Sequence, residues 1–312
     1  MSQEVAIPFL SIVIPTRPGF SEHWLTELLK VKGRVEFILI HPPGTTPPLV
    51  NDPRMKQIVS PLRGEVIQRS TGLINASGTY ILSLNCDEYL HPDIENLVRD
   101  YFARFPDSWV LRLTGRDFPY GDLANLSAPW PTIPEVQTLG TCSKRENTQA
   151  LFKENTYLLE IPIAPLEKPI DWSALSGFRK DHHGPHMENF DKRVWKNELV
   201  RPAIREITES MSVAGPIKYV PFWCLDRTLG LYIQAKFFDP DKTIGHWMPS
   251  IAEQIRIEDN PPDQKRSNRF YFLVEILLVK KFPERGYFWN LIFSQGRDLA
   301  NNIRYTLFPR KD

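Results

Sequence analysis

Over the first hundred residues, short apolar runs rich in β-branched side chains alternate with stretches whose apolar residues recur at the helical period. Residues 10–14 (LSIVI), 35–40 (VEFILI), 57–60 (QIVS), 79–84 (TYILSL) and 109–113 (WVLRL) read as strands. Between the first two, Ser21 is placed to cap a helix to about residue 32, with Trp24, Leu25, Leu28, Leu29 and Val31 on its inner side. A second helix fits residues 63–77, where Val66, Ile67, Leu73 and Ile74 mark the apolar face and Gly78 supplies the stop. Pro92 suits the first turn of a third, with Ile94, Leu97, Val98, Tyr101 and Phe102 at helical spacing. Strand, helix, strand in repetition implies right-handed crossovers and a parallel sheet. The fourth strand delivers Asn85, Cys86, Asp87 and Glu88 to its carboxyl end, the edge at which open α/β sheets bind ligands.

Beyond that rhythm the pattern weakens. Residues 41–53 hold five prolines and must form a loop. Residues 114–142 are rich in proline, glycine and aromatics without a period, as a cover over a pocket or a surface excursion would be. Residues 221–224 and 229–238 fit late strands or the wall of a second subsite, and Asp239, Pro240 and Asp241 form a turn. His182, His183 and His186 are separated by Gly184 and Pro185, which break the spacing a shared metal would need.

Composition narrows the class. A chain of 312 residues can bury a large core, and its formal charge of +1 argues against a mainly electrostatic nucleic-acid binder. Cys86, Cys142 and Cys224 show no paired spacing, which suggests neither a zinc knuckle nor a disulfide framework, and a reducing compartment is the simpler expectation. The N-terminus has no basic segment before its apolar run, so no secretory signal is expected. The apolar run 270–279 is interrupted by Glu275 and falls short of the roughly 20 residues of a spanning helix, so no transmembrane segment is expected. Charge is uneven: residues 263–312 carry ten basic against five acidic groups. Aromatics interleaved with that charge suit a membrane surface; helices packed on the sheet or against a second copy of the chain fit the same pattern. Neither a Walker-type loop nor a G-x-G-x-x-G string occurs.

The order LSIVIPT (10–16), FILIHPPGTT (37–46), QRSTGLINASG (68–78) and LSLNCDEYLHPD (82–93) resembles the donor half of a family 2 glycosyltransferase, a nucleotide-sugar enzyme of the GT-A type. The resemblance implies a Rossmann-like, mostly parallel α/β sheet flanked by helices, with C-terminal helices. It divides the chain into a domain over 1–250, with a donor half at about 8–115 and an acceptor half at about 150–250, and a helical extension over 251–312. It places Pro15, Thr16, Arg17, His41, Arg69, Asn85 and Asp87 around the donor nucleotide. His41 stands where an aspartate meets base and ribose in that family, and Arg69 stands where an arginine lies near the pyrophosphate. Asn85 and Asp87 align with its Asp-x-Asp, so Asp87 is the expected ligand of a divalent cation, manganese or magnesium, with His246 completing the metal site.

The stretch SGFRKDHHGPHMENFDKRVW (176–195) resembles the acceptor motif of the same family, in which an acidic pair opens a helix. Glu188 is then the expected catalytic base, with Asp191 in reserve and Asn189 in the second acidic position. The tail resembles that of rhamnosyltransferase-like members. The implied activity is inverting, metal-assisted transfer of a sugar from a nucleotide-diphosphate donor to a hydroxyl of a glycan or lipid-linked acceptor. The expected place is the cytoplasm, with the inner face of a membrane as the alternative. Because His41, Asn85 and Asn189 stand where aspartates are usual, the alternative is a non-catalytic relative serving as a binding or assembly subunit.

Overall fold

The computed structural model describes residues 7–143, 156–212, 224–249, 253–262 and 272–307. The apolar runs become the strands of a nine-stranded sheet: β1 (Leu10–Pro15), β2 (Val35–His41), β3 (Met55–Val59), β4 (Tyr80–Ser83), β6 (Val110–Arg112), β8 (Gly140–Cys142), β9 (Tyr157–Pro162), β10 (Arg193–Lys196) and β11 (Thr243–Trp247). Their spatial order is β3-β2-β1-β4-β10-β6-β11-β9-β8. The first four are mutually parallel; β10 enters antiparallel to both β4 and β6, and β11 returns parallel to β6. Carboxyl ends of β1, β4, β6 and β11 therefore share one edge with the amino end of β10. Three short strands, β5 (Glu88–Leu90), β7 (Gly115–Phe118) and β12 (Ile255–Glu258), form a second sheet beyond that edge.

Alternating side chains along each strand feed two cores, one on each face. Val13, Ile38, Ile40, Ile81, Val110 and Trp195 face α2 (Glu65–Asn75), α5 (Asn197–Ser212) and α6 (Asp226–Lys236). Ile12, Phe37, Leu39, Leu82, Leu111 and Val194 face α1 (Glu22–Leu28) and α3 (Ile94–Arg104). A four-residue α4 (Leu123–Leu126) lies in the proline-rich excursion. Helix α7 (Phe272–Lys281) packs on α6, and α8 (Gly286–Leu307) packs on α7 and on a short turn at Trp172–Leu175. The tail thus packs against the body through Val274, Leu278, Tyr287, Phe288 and Leu291.

Several elements differ from the pattern reading. Helix α2 ends at Asn75 with Ala76 in extended conformation, so Gly78 is not its stop. A Cβ on Gly78 would meet Ser11 Oγ at 2.7 Å, and the residue is small because the chain crosses β1 there. Residues 229–238 lie mostly in α6 rather than in a strand; nearly every side chain of that helix is buried, which erases the one-sided period. Glu188 opens no helix. It lies in a loop before β10, and the next helix along the chain to begin on an acid is α6, at Asp226. Residues 221–223 and 263–271, including the start of the tail motif, lie outside the described residues.

Candidate functional site

The edge begins at the ends of β1 and β2. Thr16 N–H donates to Ile40 O at 2.9 Å, and Gln68 Nε2 of α2 bridges Thr16 O and Ile40 O at 3.1 and 2.9 Å. His41 is fully buried: Nδ1 lies 2.9 Å from Thr16 Oγ1, Nε2 lies 2.9 Å from Gln57 Oε1, and Phe20 covers its ring. Burial holds its pKa below the usual imidazole value. The expectation that His41 reads a base is corrected here, because both ring nitrogens are spent tying β1 to β3. Arg17, next to Thr16, is different. Its guanidinium is 35% exposed, donates to Asn260 Oδ1 at 2.9 Å and stands 3.6 Å from Asp87 Oδ2.

Arg69 is 1% exposed and organises the middle of the edge. Its Nε donates to Glu65 Oε1 (3.0 Å), one terminal nitrogen to Asp191 Oδ1 (2.9 Å) and Ser83 Oγ, the other to Asn85 Oδ1 (2.7 Å). A guanidinium so enclosed positions Asn85 and Asp191 rather than meeting a ligand. Glu88 turns inward: its carboxylate accepts from Asn85 N–H at 2.8 Å and from Lys192 Nζ at 3.1 Å. Asp87 remains at the mouth with its side chain 18% exposed. Burial first, then the neighbouring Glu88, holds its carboxyl above the usual range, against the pull of Arg17.

The sequence Asp191-Lys192-Arg193 meets this cluster from β10. Lys192 has φ of 60°, a left-handed conformation costly for a side chain with a Cβ, and it is pinned by its N–H to Ser83 O (3.0 Å). Asp191 lies behind Asn85; burial pushes its carboxyl up, and Arg69 pulls it back. Asp226, at the start of α6, was not singled out by the sequence. One of its oxygens accepts the N–H groups of Phe190 and Asp191 at 2.6 and 2.7 Å. An acid in the first turn of a helix was the signal that could have found it.

Glu188 is elsewhere. It accepts from Arg179 at 2.7 Å and from the Tyr287 hydroxyl, and Arg227 stands at 3.6 Å. Despite its burial, Arg179 and Tyr287 hold its carboxyl below the usual range. A carboxylate with these partners is a weak base, which argues against Glu188 as the group that takes the proton. A groove of about 860 Å³ lies beside this ion cluster, lined by Arg179, His186 and Phe238, and contains none of the edge residues.

His246 is also corrected. It lies inside β11, in register with Leu111, its Nδ1 2.9 Å from Tyr101 Oη and its ring 4.3 Å from Phe105. Both partners belong to the end of α3, on the far face from Arg69, and burial pushes its pKa down to about 4. It completes no metal site with Asp87. Among the described residues, no group of three or more His, Cys, Asp or Glu side chains is placed to hold a metal ion. The donor set that does exist, one part-exposed carboxylate at the mouth, fits a hard cation that completes its shell from substrate phosphates and water, as magnesium commonly does.

Further along the edge, Arg193, Arg112 and Trp247 stand in cross-strand register. The sequence pattern did not single them out. No helix of the described residues is long and apolar enough to cross a membrane.

No protein-family model and no curated protein sequence matches the chain. Among solved structures it superposes on Staphylococcus aureus TarS. With residues 1–349 of TarS in complex with UDP-GlcNAc the TM-score is 0.53 at 13% identity, covering 97% of this chain and 76% of that one. With the UDP complex the TM-score is 0.52 at 13% identity, covering 97% and 75%. Against a longer TarS chain it is 0.52 at 12%, covering 97% of this chain and 46% of that one. The likeness is one of fold, and the fold is the GT-A type expected: a mostly parallel α/β sheet flanked by helices, with C-terminal helices.

Proposed function

We propose that this chain transfers a sugar from a nucleotide-diphosphate donor to a hydroxyl of a glycan or lipid-linked acceptor, with inversion, at the carboxyl edge of the sheet. The observation that carries the reading is the convergence there of Arg17, Asp87 and the Arg69-positioned Asp191 from β1, β4 and β10. It is supported by a fold shared with a protein whose structures hold UDP and UDP-GlcNAc.

In this reading Arg17, free to swing from Asp87, meets the donor's phosphate oxygens. A divalent cation held by Asp87 together with those phosphates would neutralise charge on the departing diphosphate. The acceptor hydroxyl oxygen bonds to the anomeric carbon as the carbon–oxygen bond to the diphosphate breaks, and the hydroxyl proton passes to Asp191. Arg69 keeps Asp191 and Asn85 in place, and Asp226 fixes the backbone carrying Asp191. Positioning and charge complementarity supply the rest.

Calorimetric titration of nucleotide sugars with and without manganese tests this. Binding is expected to strengthen with manganese and to lose that dependence in Asp87→Ala, while manganese alone binds weakly because its shell needs the phosphates. A second reading, a non-catalytic binding subunit, is favoured by one observation: Asn85 replaces a carboxylate and is held by Arg69. It predicts nucleotide-sugar binding that is indifferent to manganese and to Asp87→Ala, with no turnover.

A further inference from the structure

Arg193 on β10, Arg112 on β6 and Trp247 on β11 form one row across the sheet, on the face that also carries Val110 and Trp195. Like charges directly opposite on neighbouring strands destabilise a sheet. This pair is nonetheless built in. The Arg112 guanidinium lies 3.6 Å from the centre of the Trp247 indole, an orientation that holds it flat without consuming its donors. No carboxylate within ion-pair distance and no hydrogen-bond acceptor meets the Arg112 side chain among the described residues. Arg193 spends only part of its fork, on Asp191 O and on Met187 Sδ at 3.1 Å. Burial and the neighbouring Arg193 depress Arg112 to about 10, still protonated at neutral pH.

Position along the edge says which group this charge would meet. Arg17 follows β1, Asp87 follows β4, Asp191 precedes β10, and Arg112 ends β6. At about 4.8 Å per strand, Arg112 stands roughly 10 Å beyond β4, on the side away from β1. The row begins where Asp191 would receive the acceptor hydroxyl's proton, past the place where the diphosphate would depart. We propose that Arg112 and Arg193 form an oxyanion subsite for the acceptor, so that the acceptor carries a phosphate or carboxylate close to the hydroxyl that is glycosylated. The unspent fork of Arg112 and the remaining terminal nitrogen of Arg193, whose charge Asp226 and Asp191 partly offset, suit such a group, and Trp247 keeps Arg112 pre-oriented. The proposal deepens the glycosyltransferase reading and rests on it for the word acceptor; the anion subsite stands on the side chains alone.

Titrating inorganic phosphate into the full-length protein already saturated with UDP tests this. Wild type is expected to bind phosphate beside UDP, with the affinity falling as salt rises. Arg112→Met, which keeps an apolar stem against Trp247, is expected to weaken phosphate at least about tenfold and to leave UDP within about twofold. Its melting temperature should equal or exceed that of wild type, because the variant relieves the juxtaposed charges; Arg193→Gln serves as the second variant, with the same expected loss. Competition between UDP and phosphate, or equal weakening of both by Arg112→Met, overturns the proposal by assigning the arginines to the donor's diphosphate. Absence of phosphate binding at tens of millimolar overturns it as well. Failure of every nucleotide tried to bind, with phosphate still bound and lost in Arg112→Met, defeats the glycosyltransferase reading and leaves the anion subsite standing.

Discussion

At the scale of single residues, Asp191 and Glu188 show how environment divides two carboxylates of one loop. Glu188 has two cations and a phenol, whereas Asp191 has one cation and deep burial. Asp191→Asn is therefore expected to lower kcat by about 10²-fold or more while the donor Kd stays within about twofold, as single-turnover kinetics and calorimetry would show. His246 yields a separate test. Its folded pKa of about 4 lies below its ordinary 6.5, so the unfolded chain takes the proton first. Its contribution to stability is full above pH 6.5 and is lost as pH falls toward 4, a change of about 3 kcal/mol. Denaturant midpoints of wild type and His246→Gln should converge or cross over that window; parallel curves would contradict it. The residues at the edge differ in how readable they were. Asp87 and Arg69 stand where the order of strand and helix signals puts them, because local pattern fixes which strand end bears them. Asp226, Arg112 and Arg193 gain meaning from partners dozens of residues away, and His246 and Glu188 were misplaced for the same reason: their partners Tyr101, Arg179 and Tyr287 are invisible to spacing.

Among elements, α1 to α3 were legible because each has one buried face, and β1, β2 and β4 because burial on both faces makes each a short continuous apolar run. Helix α6 was not, since burial on all sides leaves no period to read. Yet α6 sets the site. Its Gly230 packs so close to the loop bearing Glu188 that a Cβ would lie 2.3 Å from the Glu188 carbonyl oxygen and 2.9 Å from the Asn189 carbonyl carbon. Gly230→Ala must push α6 and Asp226 away from that loop. A loss of stability of about 1–3 kcal/mol is expected, together with a fall in kcat larger than the change in donor affinity. An unchanged melting temperature would show that the helix has room to shift. The antiparallel β10 was also unreadable, because its four residues carry no sign of their direction.

For the whole molecule, the C-terminal helices are joined to the body by polar as well as apolar contacts. Glu188 binds Arg179 and the Tyr287 hydroxyl of α8, Arg179 binds Asp181, and Asp181 accepts from Asn290 of α8 at 2.8 Å. Glu188→Gln removes the carboxylate that Arg179 and Arg227 share and leaves each with one acidic partner, Asp181 and Glu275, so a stability loss of about 1–3 kcal/mol is expected in chemical denaturation. Because the Glu188 carboxyl is held low, this advantage of wild type is present above its ordinary value of 4.5 and disappears as pH falls below it.

The central claim is that the edge formed by β1, β4 and β10 receives a nucleoside diphosphate. Crystals soaked with UDP, GDP, CDP and TDP in turn, with manganese, test it most directly. The account predicts diphosphate density between Arg17 and Asp87, with the metal on Asp87 and the base toward β2. Density in the groove lined by Arg179 and His186, or no nucleotide in any soak, would contradict it.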